Sequence, residues 1–231
     1  MTERRVAIFT DETGWHTRRL RQALVRRGFE GRCVDLAACR FDTAASPHGV
    51  LIPGFGKALP CAAIVRGIAG GSLEQITKRL GILHALRELG VPVYNEARAI
   101  ERSVDKAMTS FLLHRAGVAT PQAWAVEDEA QARRILVREA AAGHGLVVKP
   151  MFGSQGKGVL RVGAVDGGFV ALPPLGELAG LAYLQRFVPQ AESPQAPGFD
   201  WRVLVIGGQA RAAMKRGSAQ DRKSTRLNSS H

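Results

Sequence analysis

The segment of this chain with the plainest chemistry runs Lys149-Pro150-Met151-Phe152-Gly153-Ser154-Gln155-Gly156-Lys157-Gly158-Val159. One lysine closes a β-branched run and a second sits inside a glycine-rich tip. Glycine exposes backbone N–H groups that can cradle phosphate, and two ammonium groups would supply the opposing charge. An ordinary hairpin turn needs fewer glycines, so the segment reads as a lid over phosphates. Two other glycine-rich stretches say less. Gly54-Phe55-Gly56-Lys57 lacks Walker spacing and reads as plain loop, and no G-x-G-x-x-G follows the first strand. Gly67-Ile68-Ala69-Gly70-Gly71 leads into a helix start at Ser72. That geometry suits an anion at a helix N-terminus and equally suits a tight strand-to-helix turn.

Other chemistries lack their residues. Cys33, Cys39 and Cys61 have no C-x-x-C spacing, and His16, His48, His84, His114, His144 and His231 form no H-E-x-x-H pair. Neither a disulfide framework nor a zinc centre is indicated. Phosphate chemistry therefore needs a scaffold, and the periodicity supplies one.

Over the first hundred residues strand and helix signals alternate, as in an open α/β domain. Val6–Thr10 reads as a strand, Leu20 and Leu24 mark an amphipathic helix that stops at Gly28, and short apolar runs follow at 33–36, 50–52 and 62–65. A helix over 72–89 opens with an S-x-x-Q capping box at Ser72 and Gln75, and 91–94 closes this half as a strand. Helices are then predicted over 104–116 and 128–142, and short strands over 146–149, 159–162, 183–188 and 201–206. This second half reads as α+β on an antiparallel sheet. The predicted domains are 1–95, 96–183 and 184–220. The polar run from Asp221 to His231 is set aside as a non-native or disordered tail.

The 231 residues carry a formal charge of +12, with 45% hydrophobic residues and 23% charged. The mean hydropathy is −0.05. That composition is globular rather than disordered, and no apolar run approaches the ~20 residues of a membrane span. With no secretory signal at the start, the cytoplasm is the default compartment. Positive charge raises nucleic acid as a partner, but only seven of the cations are lysines, the arginines are scattered, and aromatics amount to 6%. The reading is no specific nucleic acid. Oligomeric state is not legible.

Five blocks, in order, resemble the RimK-like α-L-glutamate ligases of the ATP-grasp superfamily. They are RGIAGGSLEQ (66–75), VPVYNEARAIERSVDKAMTSFLLHRAGVATP (91–121), VVKPMFGSQGKGV (147–159), LQRFV (184–188) and DWRVLVIGGQARAAMKR (200–216). The first block favours the branch that acts on tetrahydromethanopterin-type cofactors. The resemblance implies an ATP-grasp fold behind a pre-ATP-grasp domain, with the last subdomain incomplete. It also implies that Lys106 and Lys149 contact ATP phosphates beneath the loop Gly153, Ser154, Gln155, Gly156, Lys157 and Gly158. Gln185, Arg186, Phe187 and Val188 would form a hinge whose backbone reads adenine, with Arg186 where many relatives carry an acid. Asp200 would sit near the ribose, while Arg202, Lys215 and Arg216 would face the triphosphate or an acyl phosphate; equally, Arg202 could simply pair with Asp200. The implied reaction joins L-glutamate to an acceptor carboxylate with ATP and magnesium. In relatives magnesium is held by a D…E-x-N acidic set, and after Lys149 this chain offers only Asp166, Glu177, Glu192, Asp200 and Asp221. No metal ligand is assigned, and the chain reads as a truncated ligase that binds nucleotide weakly and turns over none. A non-catalytic nucleotide- or anion-binding module is the alternative.

Overall fold

A computed structural model describes residues 4–153, 158–189 and 198–218. The chain forms two compact units that divide between Arg102 and Ser103.

The first unit is a parallel α/β layer. Its strands are β1 (Arg5–Phe9), β2 (Glu30–Val34), β5 (Ala62–Val65) and β6 (Val93–Tyr94), ordered β2-β1-β5-β6. A two-stranded ribbon of β3 (Arg40–Phe41) and β4 (Val50–Leu51) stands apart from them. The helices are α1 (Trp15–Val25), α2 (Leu73–Glu88) and α3 (Ala97–Val104). Both faces of β1 are buried, so its apolar residues run continuously instead of alternating. Ala7 and Phe9 join one core with Ile82, Leu83 and Leu86 of α2. On the other face Leu24 of α1 closes over Ile8 and Gly31, where an added methyl would collide with the leucine. The predicted capping box forms: the Ser72 amide donates to Gln75 Oε1 at 3.1 Å, and the Gln75 amide to Ser72 Oγ at 3.4 Å. One turn on, the buried Arg79 guanidinium donates to the carbonyls of Ala69 (2.6 Å) and Gly70 (3.0 Å). The glycine stretch before α2 is therefore held by a side chain of this unit.

The second unit contains α4 (Lys106–Arg115), β7 (Ala123–Val126), α5 (Glu129–Ala141), β8 (Gly145–Lys149), β9 (Leu160–Val165), β10 (Gly168–Val170) and β11 (Ala182–Arg186). Its sheet is antiparallel throughout, ordered β10-β9-β8-β11-β7. Leu146, Val148, Val162, Ala182 and Leu184 pack against Ala132, Ile135 and Leu136 of α5. Strand alternation then turns Val147, Lys149, Tyr183 and Gln185 to the opposite face. There α4 approaches, with Ser110 Oγ 2.7 Å from Tyr183 Oη. A separate hairpin follows, β12 (Gly198–Ile206) paired antiparallel with β13 (Gln209–Ser218).

The architecture is the expected α/β unit followed by α+β. Details differ. The helix predicted over 104–116 forms as α4, but α3 before it was not predicted; the two part at Asp105, whose side chain accepts the Met108 amide at 2.8 Å and caps α4. An aspartate satisfies first-turn amides better as a cap than inside a helix, so the break falls there. Lys106 thereby becomes the first residue of α4. The strand predicted at 33–36 lies earlier, at Glu30–Val34, and Leu36–Ala38 curls into a short 3-10 turn that Asp35 caps. Four strands were not predicted: β3, β7, β10 and β13. Leu184 to Arg186, placed by sequence at the start of a third subdomain, are paired on both sides within the five-stranded sheet. Among the described residues no helix is long and apolar enough to cross a membrane.

Leu184 is 0% exposed at the centre of this sheet. Leu184→Ala is expected to cost about 2–5 kcal/mol, read from the urea midpoint of the second unit's unfolding.

Candidate functional site

Lys149 ends β8 on the face turned away from the apolar core. Antiparallel register sets it opposite Tyr183, with Gln185 diagonal on the same face. Its Nζ donates to Gln185 Oε1 at 2.5 Å. The glycine-rich loop leaves from this lysine, and Lys106 holds the loop's first stem. Lys106 Nζ donates to the carbonyls of Met151 (3.2 Å) and Gly153 (3.1 Å). Burial lowers the Lys106 pKa, with Asp105 acting in the opposite sense. Gly153 and Gly158 both take positive φ, at 131° and 71°. At Gly158 a methyl would also strike Pro150 Cγ, so the two stems close on each other only with glycine there. Ser154, Gln155, Gly156 and Lys157 lie outside the described residues.

The candidate hinge divides by side-chain direction. Gln185 faces Lys149. Arg186 points to the other side of the sheet, where its Nε donates to Glu139 Oε2 at 2.7 Å. Its side chain is thus bound to α5 and not on offer to a ligand. The Arg186 amide donates to Gln122 O and the Phe187 amide to Gly145 O, each at 2.9 Å. Both are committed to the sheet, which leaves the exposed Val188 as the next backbone donor along the strand. Arg161 stacks over the Phe187 ring at 4.3 Å. Burial opposes ionisation of Glu139, but hydrogen bonds from Arg186 and Arg138 outweigh it and hold the carboxyl below the ordinary range.

The other candidates sit on the β12–β13 hairpin. Register places Asp200 opposite Arg216 and Trp201 opposite Lys215. Arg216 Nε donates to Asp200 Oδ1 at 2.9 Å and Arg202 Nε to Oδ2 at 2.6 Å. These contacts, Arg216 foremost, lower the Asp200 pKa. Lys215, one residue from Arg216, takes the other face and lies 4.0 Å over the Phe199 ring. The hairpin thus brings Arg202 and Arg216 together around one carboxylate and separates Lys215 from them. With both Asp200 oxygens engaged, and no cluster of three or more acidic, His or Cys side chains among the described residues, these residues do not compose a magnesium site.

Sequence reasoning passed over the floor beside Lys149. A cleft of about 440 Å³ between α4 and β7 reaches Tyr183, the cross-strand neighbour of Lys149, and is also lined by Ser110, Phe111, His114, Gln122 and Trp124. Burial raises the Tyr183 pKa, against the effect of its bond to Ser110. Alternation from Lys149 could have flagged Tyr183 only once the pairing of β8 with β11 was known.

The RimK PreATP-grasp domain family matches residues 5–100, and the RimK-like ATP-grasp domain family matches residues 103–229. A tetrahydromethanopterin:alpha-L-glutamate ligase of Methanosarcina acetivorans is 33% identical, over 91% of this chain and 66% of that protein. A probable alpha-L-glutamate ligase of Cellvibrio japonicus is 30% identical, over 90% of this chain and 65% of its own length. The crystal structure of a RimK domain protein ATP-grasp from Sphaerobacter thermophilus superposes with a TM-score of 0.62 at 23% identity, covering 92% of this chain and 72% of that one. The chain thus spans slightly less than two thirds of the length of the curated relatives it matches.

Because the Glu139 pKa is depressed in the folded state, its contribution to stability is present above the ordinary carboxylate range and is lost as pH falls through the folded value. Glu139→Gln is expected to cost about 1.5–3 kcal/mol near pH 7, for the loss of charged hydrogen bonds. The gap from the parent should narrow below about pH 4. Thermal melts of both proteins across pH check it; a gap that is constant with pH would contradict the assignment.

Proposed function

The chain belongs to the RimK-like ATP-grasp family, and from that premise we propose that the protein is an ATP-dependent carboxylate–amine ligase that joins L-glutamate to an acceptor carboxylate. An oxygen of one carboxylate attacks the γ-phosphorus of ATP, the bond to the β-phosphate oxygen breaks, and ADP leaves. The resulting acyl phosphate is attacked at its carbonyl by the deprotonated amine, and inorganic phosphate departs. No protein nucleophile takes part. The protein's task is to neutralise the polyphosphate and align the attacking oxygen.

One observation carries the reading: two lysines from different elements meet at one glycine-rich loop, on the sheet face opposite the core. Lys149 starts the loop, and Lys106 holds the carbonyls of Met151 and Gly153. Both ammonium groups are bonded to neutral oxygens, Lys149 to the Gln185 amide. Phosphate oxygens are stronger acceptors, so a nucleotide would draw the lysines from these bonds. Gly153 to Gly158 would then fold over the phosphates, with adenine along Gln185 to Val188, read by backbone since the Arg186 side chain is tied to Glu139. Arg202 and Arg216, freed from Asp200, would face the transferring phosphoryl group; Lys215 would need a twist of the hairpin to join them. The relatives' names support L-glutamate as the amine, and one of them supports a pterin cofactor as the acceptor. We place the reaction in the cytoplasm, with ATP delivered as its magnesium complex.

Where the protein's gene product turns over ATP with magnesium, L-glutamate and a carboxylate acceptor, the expected nucleotide product is ADP with one phosphate, resolved by anion-exchange chromatography. AMP would overturn the mechanism. Lys149→Ala and Lys106→Ala should each weaken ATP binding by about tenfold or more. Unchanged affinity in both would remove the lysines from the site.

A further inference from the structure

The first unit holds a crevice that none of these roles uses. From β1 the chain passes to β2 on one side, whereas β5 pairs with β1 on the other. The loops leaving β1 and β5 therefore diverge, and in parallel α/β sheets ligands settle where they do. A cavity of about 150 Å³ lies there, lined by both loops and the first turn of α1. It has room for a small polar molecule and not for a nucleotide.

Its lining divides by charge. Arg66 forms the positive side together with the N-terminal end of α1, where the cap residue Gly14 has no side chain to offer the first-turn amides. Asp11, whose carboxylate lies at Gly67, and its neighbour Glu12 bring negative charge to the same lining. Asp11, Glu12 and Arg66 make no ion pair among the described residues, although they share so small a space. Gly67 lets the Asp11 carboxylate sit against the backbone beside Arg66, since a methyl at that position would collide with Oδ1. A phosphate or simple dianion would be repelled by two carboxylates, and a simple cation by the guanidinium. A molecule carrying both charges a few ångströms apart meets both sides.

We propose that this crevice binds the zwitterionic head of an α-amino acid, its carboxylate against Arg66 and the α1 amides and its ammonium against Asp11 and Glu12. On the ligase reading, on which only the ligand's identity rests, that amino acid is L-glutamate. The crevice is then where the amine substrate is recognised.

The test is a titration of the ¹⁵N-labelled 231-residue chain with L-glutamate, and separately with glutarate, which keeps both carboxylates and lacks the ammonium. L-Glutamate should give saturable amide shifts confined to residues 10–17 and 66–68, and glutarate should bind at least about tenfold more weakly. Arg66→Gln and Asp11→Asn should each raise the L-glutamate midpoint about tenfold. Both side chains are exposed, so both variants should keep the parent melting temperature. The assignment is overturned if millimolar L-glutamate moves none of these amides, if both variants bind like the parent, or if glutarate binds equally well. Failure of ATP binding or of ADP formation would instead remove the ligase reading and leave these shifts in place, so the two failures are distinguishable.

Discussion

Strand alternation can direct only every second side chain toward α5, and the candidate nucleotide face follows from that constraint. In β8, Leu146 and Val148 are 0% and 1% exposed against α5. Lys149 cannot follow them, so it turns to the other side with Tyr183 and Gln185 of β11. The apolar layer thus fixes the polar one. A one-residue slip would drive an ammonium into the core and a valine into the site, which makes the register costly to change.

Internal pairing explains how an arginine-rich chain keeps its cations in place. Glu139, nearly fully buried on α5, takes Arg186 and Arg138. Asp200 takes Arg202 and Arg216. Arg161 lies over the Phe187 ring, and Arg138 lies over Trp124 as well. The excess of positive charge is therefore partly spent on internal pairing and stacking and not left wholly on solvated helix faces. Arg186 has its physical counterpart in Glu139 on the next layer.

Where the sequence read well, local rules decided the outcome. The Ser72–Gln75 box, the glycine stop at Gly28, at positive φ, and the valine-rich core strands act within a few residues of themselves. Where it read poorly, partners distant in the chain decided. Ala-Trp-Ala-Val in β7 and the alanine-rich, charged β13 have weak strand propensity, and they become strands because β11 and β12 offer them hydrogen-bonding edges. The crevice at Asp11 and Arg66 escaped notice for the same reason: its two loops are separated by some fifty residues and meet only because β1 and β5 are neighbours.

The sequence by itself determined the residue types and their local geometry: two lysines and a glycine-rich turn, a helix cap at Ser72, and alternation that must put Val148 and Lys149 on opposite faces. Only the tertiary structure decided which partners those side chains meet. Lys149 finds Gln185, Lys106 the loop carbonyls, Arg186 Glu139, and Arg202 and Arg216 a shared Asp200 that separates them from Lys215. Propensity and periodicity act over one or two turns of chain, whereas strand register and helix packing are set by the burial of a whole layer at once.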